Sequence, residues 1–164
     1  MGKLIIDASE FCRLNERREG TLAIAELARV QVESPGEQRH VQWSILGGND
    51  QVGHAKLSLH VDGVISLVCQ RCLNPVDVDI ASRSQLILAR TEEDADGIEA
   101  LLADDSVDVV VVKEKIDITD LIEDEILLAI PQSVKHETCS GEVNAALGAV
   151  KKPSAFAALK NLKL

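Results

Sequence analysis

The chain has 164 residues, enough for one ordinary domain, and 46% of them are hydrophobic, which is enough to bury a core. Its formal net charge of −10 argues against a protein that coats nucleic-acid phosphates, because that task needs an excess of Lys and Arg. With aromatic residues at only 2%, a module that stacks bases on aromatic side chains is nearly excluded.

The N-terminal region predicts a short helix and then a mixed segment. Residues 7–18 favour a helix that Asp7 or Ser9 caps and that Gly20 ends. Residues 22–32 combine the periods of strand and helix, so we expect a strand that gives way to a helical turn.

Strand signals dominate the next part of the chain. Apolar residues alternate with polar or small ones in three runs, and a glycine-rich turn at residues 47–50 follows the first run. The three runs carry Val41, Trp43 and Ile45, then Leu57, Leu59 and Val61, then Val76, Val78 and Ile80. This pattern predicts an antiparallel meander that buries one face.

An acidic segment follows at residues 92–108, with eight acidic residues and no Lys or Arg. We interpret it as a solvated loop, which can include a short helix around 98–102. The alternative is an acidic surface that meets a basic partner such as a ribosomal protein. The β-branched run at 107–112 predicts one more strand, and residues 119–130 predict a helix.

The helix at 119–130 places one acid, Glu125, in the middle of its apolar side. Because a buried carboxylate is costly unless it is paired or hydrogen-bonded, we expect an arginine partner, with Arg71 as the first candidate. The alternative is that Glu125 caps a nearby backbone group.

These elements predict an α+β fold, in which an antiparallel β-meander packs against the helix of the C-terminal half and the short N-terminal helix. We expect a single domain at residues 1–148 and a basic tail at 149–164. The tail either packs back on the domain or contacts RNA or a partner through its lysines, which are Lys151, Lys152, Lys160 and Lys163.

Cysteines carry the clearest chemical signal. Cys69 and Cys72 form a C-x2-C pair at a turn between two strands, and His136 and Cys139 follow in a loop. Together the four side chains could supply a tetrahedral zinc site. The alternatives are redox chemistry or ordinary reduced cysteines, as we expect for Cys12 in the first helix.

No segment has the pattern of a signal peptide or a membrane span, so we expect a cytoplasmic protein with reduced cysteines. The chain also has no phosphate-binding loop, no dinucleotide-binding glycine pattern and no nucleophile elbow. We therefore expect neither an enzymatic activity nor a small-molecule substrate.

Three features resemble the YceD family, described as large ribosomal RNA subunit accumulation proteins. They are the sequence from Leu67 to Leu73, the segment from Asp120 to Pro131, and the downstream His136 and Cys139. In this resemblance, Arg71 lies in the family's C-x-R-C motif and Glu125 in its helix motif.

The resemblance implies a role in the synthesis, processing or stability of large-subunit ribosomal RNA, with no known catalytic activity. Since the chain is acidic, we expect contact with ribosomal RNA or a pre-ribosomal particle to run mainly through protein. The alternative is a small zinc-binding nucleic-acid module, or an adaptor for an RNA-processing enzyme.

Overall fold

A computed structural model describes residues 4–102, 107–112 and 114–139, so the basic tail lies outside the described residues. The described part has the α+β fold that the sequence predicts. In chain order, its elements are β1 (Ile5–Asp7), α1 (Ala8–Arg13), β2 (Arg17–Ala23), α2 (Ala28–Glu33), β3 (His40–Asn49), β4 (Ala55–Val68), β5 (Pro75–Ala89), α3 (Glu92–Glu99), β6 (Val107–Val111), β7 (Lys115–Asp117) and α4 (Ile118–Ala129). One 3₁₀ turn at Ile24–Glu26 joins β2 to α2, as the mixed pattern of that segment predicts.

The main sheet has five strands in the order β2-β3-β4-β5-β6. Its first four strands are antiparallel neighbours, which confirms the predicted meander. The last strand, β6, instead runs parallel to β5, and α3 lies in the crossover that a parallel pair requires. Strands β1 and β7 pair in a separate antiparallel sheet of two strands.

The core lies on one face of the main sheet. Alternate side chains along β4, including Leu57, Leu59 and Val61, are fully buried there. Helices α1 and α4 pack on this face, and α3 packs on the other. Because strand side chains alternate between faces, the period of two in the sequence already fixes which of them enter the core.

Within the described residues, no helix combines the length and the apolarity needed to cross a membrane.

The first helix is shorter than the sequence predicts. Asp7 caps it by accepting a hydrogen bond from the amide of Glu10 at 2.9 Å, but α1 ends at Arg13. The residues that follow pair with β3 instead, so tertiary pairing overrides the helical pattern. Gly20, which was expected to end the helix, lies in β2 opposite Trp43. A Cβ atom at this position would come within 3.2 Å of the indole ring.

The turn predicted at residues 47–50 is also wrong, because β3 continues to Asn49. Gly47 lies in this strand beneath α1, where a Cβ atom would come within 2.5 Å of the backbone oxygen of Phe11. The glycine therefore allows the helix to approach the sheet closely. The chain reverses afterwards at Asp50, whose carboxylate accepts hydrogen bonds from three amides of the turn.

The first eight residues of the acidic segment form helix α3, whereas the sequence predicts a loop at residues 92–108 that can include a short helix around 98–102. Thr91 caps α3 by accepting a hydrogen bond from the amide of Asp94 at 3.1 Å. Three acidic residues occupy the first turn, where the helix dipole favours negative charge. Ala95 and Ile98 are buried against Ile87 on the outer face of the sheet, so the apolar residues among the acids have a packing role.

The buried acid of α4 is Glu123 rather than Glu125. The side chain of Glu123 is 7% exposed, and its two oxygens accept hydrogen bonds from the backbone amide and the Nε of Arg29, both at 2.8 Å. Arg29 lies in the first turn of α2, and its Nη2 also donates a hydrogen bond to the backbone oxygen of Asp120. The side of α4 that faces the core therefore differs from the predicted apolar side. Leu128, an apolar residue of this helix, is 80% exposed.

Replacement of Arg29 by methionine is expected to lower the free energy of unfolding by about 2 kcal/mol. The substitution leaves the buried carboxylate of Glu123 with only its amide hydrogen bond, yet the exposed half of the arginine keeps the loss below the 3–5 kcal/mol of fully buried pairs. Urea unfolding measures the difference. The matched control is Arg17→Met, which removes an ion pair with Glu19 whose partners are both 65% exposed, and it should cost less than about 0.5 kcal/mol. Equal losses in the two variants would contradict the assigned role of Arg29.

Candidate metal centre

The turn between β4 and β5 holds the first two cysteines. The amide of Leu73 donates to the carbonyl of Cys69 at 2.9 Å, and the amide of Cys69 donates to the carbonyl of Asn74 at 3.0 Å. These bonds close a tight turn at the end of the longest strand pair, with the Sγ atoms of Cys69 and Cys72 on its buried side.

Backbone amides surround the Cys69 thiol. Burial raises its pKa, but hydrogen bonds from the amides of Cys72, His136 and Arg71 outweigh burial, and the pKa falls to about 5. A thiol with this environment is readily deprotonated, and the thiolate is the form that binds metal ions.

A strap at residues 131–139 brings the other two candidate ligands to this turn. It leaves the end of α4 at Pro131, and the carbonyl of Val134 then accepts a hydrogen bond from the amide of Gln70 at 2.8 Å. The side chain of Val134 is buried against the core. With this contact fixed, His136 and Cys139 lie beside the cysteine turn.

The four side chains converge as the sequence predicts. All four ligand atoms lie within 4.8 Å of one another. The Sγ atoms of Cys69 and Cys139 are 3.7 Å apart, and the Nδ1 of His136 lies 3.4 Å from the Sγ of Cys72 and 4.0 Å from that of Cys139. A tetrahedral zinc ion with its usual bond lengths would hold two sulfurs about 3.8 Å apart, and sulfur and nitrogen about 3.6 Å apart. The cluster therefore has the size of a four-ligand zinc site.

The imidazole of His136 is oriented for a metal. Its Nε2 donates to the carbonyl oxygen of Pro75 at 3.0 Å, because a carbonyl can only accept. In the neutral ring this bond leaves the lone pair on Nδ1, the nitrogen that faces the sulfurs. An outer hydrogen bond from the second ring nitrogen to a backbone carbonyl is what metal-binding histidines usually have.

Arg71 and Glu125 do not form the expected pair. Arg71 instead donates from Nε to the Sγ of Cys139, at 2.9 Å, and from Nη2 to the carbonyl of His136, also at 2.9 Å. Glu125 is half-buried and its Oε2 accepts a hydrogen bond from Ser82, at 2.5 Å. The pairing fails because α4 places Glu125 over the middle of β5, whereas Arg71 lies in the turn before that strand.

Two features of this region have no local signal in the sequence. The buried acid Glu123 meets Arg29, which precedes it by more than ninety residues, so no helical wheel could reveal the contact. The carbonyl of Pro75 is likewise an unremarkable backbone group until the strap reaches it. The four tail lysines, Lys151, Lys152, Lys160 and Lys163, lie outside the described residues.

Leu73 completes the cysteine turn in an unusual backbone conformation. Its φ angle is 63°, in the left-handed region that favours glycine, and its side chain is 74% exposed. Many zinc-binding turns have a glycine at the position after their second cysteine. In this chain Leu73 holds that position and adopts the left-handed backbone conformation that glycine favours.

The variant Leu73→Gly is therefore expected to raise the free energy of unfolding by about 1 kcal/mol, because it removes left-handed strain of about 1–2 kcal/mol. An exposed side chain offers little burial to offset that gain. Chemical unfolding of the protein measures this gain. In the matched control Leu101→Gly, an 80% exposed leucine without a positive φ is replaced, and no gain should appear. A lower free energy of unfolding in Leu73→Gly than in the wild type would contradict the backbone strain assigned to Leu73.

Comparison with known protein families matches residues 57–163 to the family described as large ribosomal RNA subunit accumulation protein YceD. The matched range begins in β4 and includes both cysteine motifs and α4. Searches of curated proteins and of solved structures found no match. Since the match spans well over half of the chain, this protein belongs to the YceD family of large ribosomal RNA subunit accumulation proteins.

Proposed function

We propose that this protein is a cytoplasmic, non-enzymatic factor that supports the accumulation of large-subunit ribosomal RNA, and that it acts on pre-ribosomal particles mainly through protein contacts. The family description supports the link to large-subunit RNA. The net charge of −10 supports contact through protein, since a phosphate-binding surface needs surplus cations.

The proposal includes a structural zinc ion held by Cys69, Cys72, His136 and Cys139. The observation that carries it is the spacing of the four ligand atoms, which fits a tetrahedral ion of zinc's bond lengths. An ion at this position would join the turn between β4 and β5 to the strap that follows α4. Its contribution is to hold these two distant parts of the chain together.

A closed coordination shell supports a structural rather than a catalytic role. Catalytic zinc sites keep a position for water, whereas four protein ligands fill a tetrahedral shell. The carboxylate of Glu125 is hydrogen-bonded to Ser82 and is not part of the ligand cluster. A hydrolytic mechanism would need both an open position and a base beside it.

Elemental analysis of the purified protein is expected to find one zinc ion per chain, and a chelator is expected to lower the melting temperature, because metal binding to a site absent from the unfolded chain stabilises the fold. Cys69→Ser and Cys139→Ser should lose the ion. Cys12 is buried outside the cluster, so Cys12→Ala is the matched control and should keep one zinc per chain. A metal-free wild-type protein with no response to the chelator would refute the zinc site.

Depletion of the protein in cells is expected to lower the ratio of large-subunit to small-subunit ribosomal RNA, with the small-subunit RNA as the internal reference. Re-expression of the wild-type chain should restore the ratio. A Cys69→Ser/Cys72→Ser variant should restore it too when its folded abundance is matched to the wild type, since the ion acts through the fold. A ratio that depletion leaves unchanged would refute the ribosomal role. A serine variant that behaves like the depletion at matched abundance would favour the alternative of a zinc-dependent nucleic-acid module or adaptor.

A further inference from the structure

Arg71 occupies a distinctive place between the two cysteines of the turn. Its guanidinium donates to one ligand atom, the Sγ of Cys139, and to two strap carbonyls, those of His136 at 2.9 Å and Glu137 at 3.4 Å. The side chain thus reaches from the turn that supplies the first two ligands to the loop that supplies the other two.

The net charge of a zinc-loaded centre gives the contact between Arg71 and Cys139 an electrostatic role. A zinc ion carries two positive charges, and three thiolates with a neutral imidazole leave the complex with a net charge of −1. Within the described residues, Arg71 forms no salt bridge with a carboxylate. Its positive charge is therefore directed at the sulfur cluster, through the hydrogen bond to the Sγ of Cys139.

We propose that Arg71 is the positioning residue and counter-cation of the metal centre, a role that rests on the proposed zinc site. It neutralises the surplus negative charge through Cys139, and it fixes the strap in the geometry that presents His136. Arginine suits both tasks, because its planar fork can donate to a sulfur and to carbonyls at the same time.

The expected size of the effect follows from the exposure of the side chain. Loss of an outer hydrogen-bond partner typically weakens metal binding by about 10- to 100-fold. Arg71 is exposed to solvent, and water screens exposed charges, so we expect about a tenfold loss, at the lower end of that range.

The test compares Arg71→Met and Arg71→Lys with the wild-type chain. Zinc affinity is measured by competition with a chelator of known affinity. Arg71→Met should bind zinc about tenfold more weakly, and Arg71→Lys should fall between it and the wild type, since lysine keeps the charge but not the fork. Arg83→Met is the matched control: Arg83 is an exposed arginine on β5, and its replacement should leave the affinity unchanged.

Cobalt substitution supplies a readout that a general loss of stability would not move. In the Co²⁺-loaded protein, the thiolate-to-metal band should shift to lower energy in Arg71→Met, because the hydrogen bond to Cys139 no longer stabilises the sulfur electrons. The tetrahedral bands should persist at saturation.

Wild-type affinity and an unshifted cobalt band in Arg71→Met would overturn the role of Arg71 while leaving the zinc site intact. A zinc affinity lowered equally in Arg71→Met and Arg83→Met would also overturn it, because the effect would then be one of overall charge. If the wild-type chain itself holds no zinc, the site and the role of Arg71 fall together, and the empty wild type identifies that case.

Discussion

The pairing of β4 with β5 is the interaction on which the rest of this structure depends. The two strands form the longest ladder of the sheet, from Lys56 opposite Ile87 to Val68 opposite Pro75. The inward face of that ladder forms the centre of the core and receives α4, and its far end closes into the turn of Cys69 and Cys72. Since α4 leads directly into the strap, the sheet determines where the strap meets the turn.

The chain is strongly acidic overall, and its buried carboxylates are paired locally with arginines. The buried carboxylate of Glu123 faces Arg29, and the carboxylate of Glu37, which is 8% exposed, faces Arg39. The Arg39 guanidinium, together with backbone amides, outweighs burial and lowers the pKa of Glu37 to about 2. Arg71 follows the same rule, but its partner is a sulfur ligand rather than a carboxylate. Three arginines thus serve the interior and the candidate metal centre, while the acidic residues of α3 remain on the surface.

The candidate metal centre and the family assignment address different properties of the molecule. Membership in the YceD family, which is described as large ribosomal RNA subunit accumulation protein, bears on the process in which we propose that the protein acts. The cluster of Cys69, Cys72, His136 and Cys139 bears on how the proposed zinc ion would hold the chain in shape. The closed four-ligand zinc site that we propose would join the strap to the sheet and leave no position for a substrate, which fits a factor that works through its surface.

The sequence by itself determined the elements that depend on local pattern. The alternation of Leu57, Leu59 and Val61 predicts the meander, because a period of two allows only one face to be buried, and the C-x2-C spacing predicts two ligands on one turn. Even the full ligand set could be named, although its convergence could not be demonstrated. Only the tertiary structure decided the contacts between distant residues: the parallel placement of β6, the burial of Glu123 in place of Glu125, and the capture of Cys139 by Arg71. These contacts depend on the rotation of α4 on the sheet and on the path of the strap. Packing of the whole core sets both, and no local pattern encodes them.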